Sequence, residues 1–188
     1  MAASDPTAPA PLILTLALDP ASQAFFDALR QRHFPPQRNF LAAHLTLFHA
    51  LPGAARAAIS AHLAATGRAL APLPLAVTGV QFMGQGVLYR LKSPGLRRLH
   101  KTLQTAFQTE FQFALSGQDR QPLHPHITVQ NKVTPAVARA LHEQLAADFQ
   151  PFAATGTALR LWAYRGGPWE ALGSFEFGGV SEVLNVKC

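Results

Sequence analysis

The sequence predicts an α+β fold of two pseudo-twofold-related lobes, with antiparallel sheets flanked by helices around a central cleft. Three observations carry that expectation. First, one strand pattern occurs twice, as His44-Leu45-Thr46-Leu47-Phe48 and His126-Ile127-Thr128-Val129-Gln130, the second copy 82 positions after the first. Each copy alternates polar and apolar residues, the pattern of a half-buried strand. Second, the same order of elements follows each copy: a turn with proline, an amphipathic helix, a strand, a glycine turn and a strand, so that about 40–92 is repeated as about 122–178. Similarity at a fixed offset marks a duplicated supersecondary unit. Third, 188 residues with 48% apolar and 14% charged side chains are enough for a packed core but too few for many repeats. A twofold axis between two such lobes brings the paired strands together at a shared cleft.

The elements can be justified in order. Residues 12–18 are a near-continuous apolar run, a buried strand closed by Asp19-Pro20, which supplies an N-cap and a proline at the first helical position. Phe25, Phe26 and Leu29 then mark a helical face to about His33, and Pro35-Pro36 ends it. The first His-Thr strand spans about 43–49. An Ala-rich helix with Ile59 and Leu63 at i, i+4 follows Pro52-Gly53 and runs to about Thr66, ending at Gly67. Strands at 73–83 and 87–91 flank a Gly84-Gln85-Gly86 turn. Ser93-Pro94 opens a helix carrying Leu96, Leu99, Leu103 and Phe107 to about Phe111. A loop through 119–122 leads to the second His-Thr strand, and Thr134-Pro135 opens a helix with Val137, Leu141 and Leu145 to about Phe149. Strands at 155–164 and 169–177, joined by Arg165-Gly166-Gly167-Pro168, close the chain. The Ala- and Pro-rich residues 1–11 read as a loose tail, leaving 12–188 as a single bilobal domain.

Composition narrows the function classes. With 16 Lys+Arg against 10 Asp+Glu the net charge is +6, a bias toward polyanions such as nucleic acid and phosphorylated ligands. No apolar run approaches the roughly 20 residues that span a bilayer, and the first residues lack the pattern of a signal peptide. The only cysteine, Cys188, allows neither an internal disulfide nor a Cys metal cluster. The expectation is a cytoplasmic protein with no membrane partner and no obligate protein partner evident.

The chemistry follows from the alternation. Side chains at i and i+2 share a face about 6–7 Å apart along a strand, so His44 sits beside Thr46 and His126 beside Thr128. Phe48 and Gln130 fall on the same face by the same rule. Two imidazoles titrating near pH 6.5 allow one neutral and one protonated copy near neutrality. The neutral copy takes a proton from an attacking hydroxyl or water, and the protonated copy gives one to a departing ribose oxygen. The threonine hydroxyls are placed to hydrogen-bond the non-bridging oxygens. Such a division of labour suits a phosphodiester, and a strained 2′,3′-cyclic phosphate above all.

Two H-x-T-x motifs, one in each half of a chain of this size, resemble the 2H phosphoesterase superfamily, in particular its 2′-5′ RNA ligase-like branch. The resemblance covers nearly the whole chain, from the 12–19 strand to Gly167-Pro168-Trp169. It implies a two-lobed antiparallel fold whose motifs face a central groove. It also implies hydrolysis of cyclic phosphodiesters or reversible 2′-5′ ligation of RNA ends, without metal or nucleotide cofactor. The partners implied are RNA ends or small nucleotides carrying a cyclic phosphate. His44, Thr46, His126 and Thr128 carry over as the catalytic set, with His126 activating the attacking group and His44 protonating the leaving oxygen. Members of this branch often place an Arg shortly after the second motif, where this chain has Gln130-Asn131-Lys132; Lys132 supplies the charge without a bidentate fork.

Other residues have competing readings. Arg160, Trp162 and Tyr164 alternate on one strand, either as a base-stacking, phosphate-contacting edge of the groove or as an ordinary amphipathic face. Phe48 either stacks a base or floors the cleft. His124 shares a face with His126, but a metal would need a third ligand, and the sequence nearby offers only Asp119. His49 faces away from His44 and reads as structural, and His33, His62, His100 and His142 sit on helices with no role. The alternatives to an enzyme of this type are a non-catalytic RNA- or nucleotide-binding module of the same fold, and a metallohydrolase using His124 and His126.

Overall fold

The computed structural model describes residues 9–178. It has seven strands and four α-helices: β1 (Leu12–Leu18), α1 (Pro20–His33), β2 (Leu45–Leu51), α2 (Arg56–Ala69), β3 (Leu73–Phe82), β4 (Val87–Lys92), α3 (Pro94–Thr109), β5 (His126–Gln130), α4 (Pro135–Ala147), β6 (Phe152–Tyr164) and β7 (Trp169–Glu176). The helix starts follow the local chemistry. Asp19, Ser93 and Thr134 accept hydrogen bonds from the backbone N–H three residues on, and each is followed by proline.

The fold is α+β, but the two lobes share one sheet. All pairings are antiparallel, in the order β2-β1-β6-β3-β4-β5, with β7 also paired to β6. That order is unchanged when β1, β2 and β3 are exchanged with β4, β5 and β6. The pseudo-twofold unit is therefore β1-α1-β2-α2-β3 followed by β4-α3-β5-α4-β6. The motif-based repeat of 40–92 and 122–178 starts one strand–helix unit later. The third strand of each unit crosses into the other lobe, and β3 and β6 pair antiparallel at the junction.

β6 is longer than the 155–164 expected because it serves both lobes: its first residues pair with β3 and the rest with β1 and β7. The sheet curls until its two terminal strands, β2 and β5, touch. The core lies under this curl. Phe26, Phe48, Leu63, Leu96, Leu103, Phe107, Ile127 and Leu159 are fully buried in one continuous cluster.

Three local expectations change. α2 runs through Gly67 to Ala69; a side chain at 67 would press on the backbone carbonyls of Glu176 and Phe175, at 2.9 and 3.1 Å, so this glycine serves close helix–strand approach, not helix termination. His100, expected to be a surface or partly buried helix residue, is only 4% exposed and stacks on Phe48. In the expected tail, residues 9–11 lie along the fold: Tyr164 N–H donates to Pro11 O, and Pro9 and Ala10 carbonyls approach Gly53. Residues 1–8 and Cys188 lie outside the described residues.

Candidate active site where the sheet closes

His44, expected inside a strand, stands one residue ahead of β2. The cause is α1. Its Gln23 amide donates to Ala43 O at 2.8 Å, and its Asp27 carboxylate accepts from Ala43 N–H at 2.6 Å, so residue 43 is held by side chains instead of a ladder. His126 opens β5 at the equivalent place.

Both imidazoles are fixed in the same way. His44 Nδ1 lies 2.8 Å from Ala42 O, and His126 Nδ1 lies 2.8 Å from His124 O. A carbonyl oxygen only accepts, so Nδ1 carries hydrogen in each ring. Nε2 is then the atom left to exchange a proton. The environments differ. His44 is half-buried against Trp169, with ring centroids 4.7 Å apart, whereas His126 is exposed. Burial is the main cause of a pKa lowered to about 4 for His44; the Ala42 carbonyl opposes it, while the charges of Arg30 and then His126 add to it.

Thr46 is half-exposed and pairs with Thr15 of β1, which pairs in turn with Arg160 of β6, so the three form one row across the sheet. Thr15 Oγ1 accepts from the Trp162 indole N–H at 2.9 Å, and Trp162 and Trp169 rings lie 6.2 Å apart. A small cavity lined by Thr15, Gln23, His44, Arg160, Trp162 and Trp169 opens here. A larger cleft of about 220 Å³ crosses between the lobes, lined by Arg30, His44, Thr128 and Asn131 among others. The structure thus brings His44 and Thr128, from opposite halves of the chain, to one hollow.

Phe48 does not face that hollow. The β1–β2 register slips between Leu14↔Phe48 and Thr15↔Thr46, a bulge that turns Phe48 into the core against His100 and Phe107. Gln130 occupies the equivalent position and meets the same fate. The β4–β5 register slips between Val87↔Gln130 and Leu88↔Thr128, and Gln130 is 4% exposed with its Oε1 unpartnered. Lys132 is exposed with φ 63°, its backbone N–H held by the Asn131 side chain. Asn131, not Lys132, lines the cleft. Tyr164 is 44% exposed and lines neither hollow beside His44. His49 is structural, its N–H and ring both on the Asp119 carboxylate at 2.7 and 3.2 Å.

Sequence reasoning missed Arg30. The residue is 4% exposed, and its guanidinium donates to Leu41 O, Asn39 Oδ1 and Thr128 O at 3.3, 3.0 and 2.9 Å. One side chain from α1 therefore ties the segment before His44 to the strand after His126. Burial lowers its proton affinity and Asp27 opposes that. The signal was present: Arg30 is four residues after Phe26, on the buried stripe of an amphipathic helix, where a guanidinium needs a reason. Trp169 was missed as well, because in the sequence it is only the first residue of a closing strand.

The family profile of the 2′-5′ RNA ligase superfamily matches residues 18–168, and the chain belongs to that superfamily. TT0787 of Thermus thermophilus shares the fold at 18% identity and a TM-score of 0.64, over 90% of this chain and 98% of that one. LigT of E. coli, solved in complex with 3′-AMP, aligns at 21% identity and a TM-score of 0.60, over 91% and 99% of the two chains. A structure described as a phosphoesterase aligns at 22% identity and a TM-score of 0.58, over 91% and 99%. Comparison with curated protein sequences gave no match. Among the described residues, no helix is long and apolar enough to cross a membrane.

Proposed function

We propose that the protein is a phosphodiesterase acting on 2′,3′-cyclic phosphates at RNA ends or on nucleotides, with 2′-5′ ligation as the same ring-opening at the same site when an RNA 5′-hydroxyl replaces water as the attacking group. The observation that carries this reading is the matched pair of imidazoles, each with Nδ1 on the carbonyl two residues back and Nε2 left to exchange a proton. Membership of the superfamily and the nucleotide complexes of a LigT relative support it.

In the hydrolytic direction, a water oxygen attacks phosphorus as one neutral imidazole takes its proton. The P–O bond to one ribose oxygen breaks, and the second imidazole, protonated, delivers its proton to that oxygen. The product is a phosphomonoester, and the proton gained by the first imidazole restores the second. Thr46 and Thr128 hydroxyls donate to the non-bridging oxygens, where negative charge accumulates. Trp162 serves as a wall for the base, and Arg30 adds fixed positive charge beside Thr128. Phe48, Gln130, Lys132 and Tyr164 have no part in this scheme.

Burial favours the neutral form of His44 in the free protein, the state a proton acceptor needs. The opposite assignment, His44 as donor and His126 as acceptor, requires a bound phosphate to raise the proton affinity of His44. The test is incubation in EDTA with a 2′,3′-cyclic-phosphate-ended RNA and a nucleoside 2′,3′-cyclic phosphate, with identification of the product isomer. Turnover is expected, falling about 10²–10⁴-fold in either His44→Ala or His126→Ala. Turnover that persists in both variants refutes the assignment. Binding that survives in the variants, with no turnover by the wild type, identifies a non-catalytic nucleotide-binding module instead.

A further inference from the structure

Beyond His126, the face of β4 and β5 opens into a second cleft of about 600 Å³, lined by Thr78, Arg90, Lys92, Arg97 and His126 among others. We propose that this cleft is a second phosphate subsite, so that the preferred ligand carries a further phosphate beside the one held between His44 and His126. The inference rests on the reading of that pair as a phosphodiester site.

The register supports it. Arg90 is directly opposite His126 across the β4–β5 ladder, and directly paired residues project to the same face. Lys92 lies two residues on, about 6–7 Å along the strand and on the same face, and Arg97 comes from the first turn of α3. Three cations thus converge on one concavity whose edge is an imidazole of the candidate pair. Among the described residues, no carboxylate lines it, and none of the three cations is in an ion pair.

Arg90 is also set in place by the backbone. Its other cross-strand neighbour is Gly79, where a Cβ would lie 3.1 Å from Arg90 Nη2. The glycine lets the guanidinium lie down on the sheet, a planar fork of the kind that binds phosphate oxygens in pairs. A solvated basic face would be convex and interspersed with acids; this one is concave and lined by none, an arrangement that focuses positive potential.

The test compares a nucleoside 3′-phosphate with a nucleoside 3′,5′-bisphosphate in calorimetric titrations of the full chain, wild type and the double variant Lys92→Gln/Arg97→Gln. The bisphosphate is expected to bind about tenfold more tightly to the wild type, with the steeper salt dependence of an extra phosphate contact. In the variant that advantage disappears while the 3′-monophosphate affinity stays unchanged, which also shows the variant is folded. Equal affinity of the wild type for both ligands, or a variant that weakens both alike, overturns the subsite. Failure of the phosphodiesterase reading is seen separately, as an absence of cyclic-phosphate turnover with the bisphosphate advantage intact.

Discussion

His44 and His126 share a hydrogen-bond arrangement and differ in their surroundings, and the difference can be measured. With burial as the dominant cause, the His44 imidazole should titrate near 4 in the free protein, followed through its ring resonances by NMR. The guanidinium of Arg30 contributes to that depression. Arg30→Met should therefore raise the His44 titration point, whereas Arg30→Lys, which keeps the charge, should leave it low. Both variants should lose about 10–100-fold in turnover, because neither side chain can hold Leu41, Asn39 and Thr128 at once and the two motifs lose their common brace. A purely structural Arg30 would leave the His44 titration alike in the two variants.

At the scale of elements, the alternation rule worked for the first four residues of each motif and failed at the fifth position of both. Phe48 and Gln130 turn inward because a bulge in β2 and another in β5 each add a residue against the partner strand. Nothing in a single strand's sequence marks such a slip, since it is set by the register of the neighbour. Strands, caps and helices were legible from periodicity, Pro and Ser/Thr/Asp starts; the place of Arg30 on the buried stripe of α1 was legible too, but its bond to the Thr128 carbonyl, 98 residues away in sequence, was not. Gly67 illustrates the same limit. In an exposed helix Gly→Ala stabilises by about 1 kcal/mol, but here the new methyl meets backbone carbonyls of β7 that cannot rotate away. Gly67→Ala should instead destabilise by about 1–3 kcal/mol, read as a lower denaturation midpoint. By contrast, the nearest atoms a Gly156→Ala methyl meets belong to the Leu16 side chain, which can rotate where a carbonyl cannot, so this change should cost less.

For the molecule as a whole, two carboxylates join distant segments. Asp19 accepts from Ser22 and Thr155 N–H, and Asp119, 1% exposed, accepts from His49 and Ala50 N–H and Ser116 Oγ. Burial alone would raise both pKa values, but these hydrogen bonds outweigh it and both are lowered. A carboxyl that binds protons less readily when folded stabilises the fold above its unfolded pKa, and that stability is lost as pH falls through the folded value. Thermal midpoints should therefore drop below about pH 4, and less steeply in Asp119→Asn, which starts lower. The duplicated order of strands and the meeting of the two motifs were readable from the 82-residue offset. The exchange of third strands between lobes was not, because spacing records sequence order and not which edge a strand joins.

That exchange has a mechanical consequence. With β6 laddered to β1 on one side and to β3 and β7 on the other, the halves have no hinge between them. A clamshell closing on its ligand would have to shear backbone hydrogen bonds in the middle of the sheet. The groove is instead a rigid jaw of fixed gape, and adjustment to differently sized ligands falls to rotamers at its lips, Trp162 and Trp169 foremost.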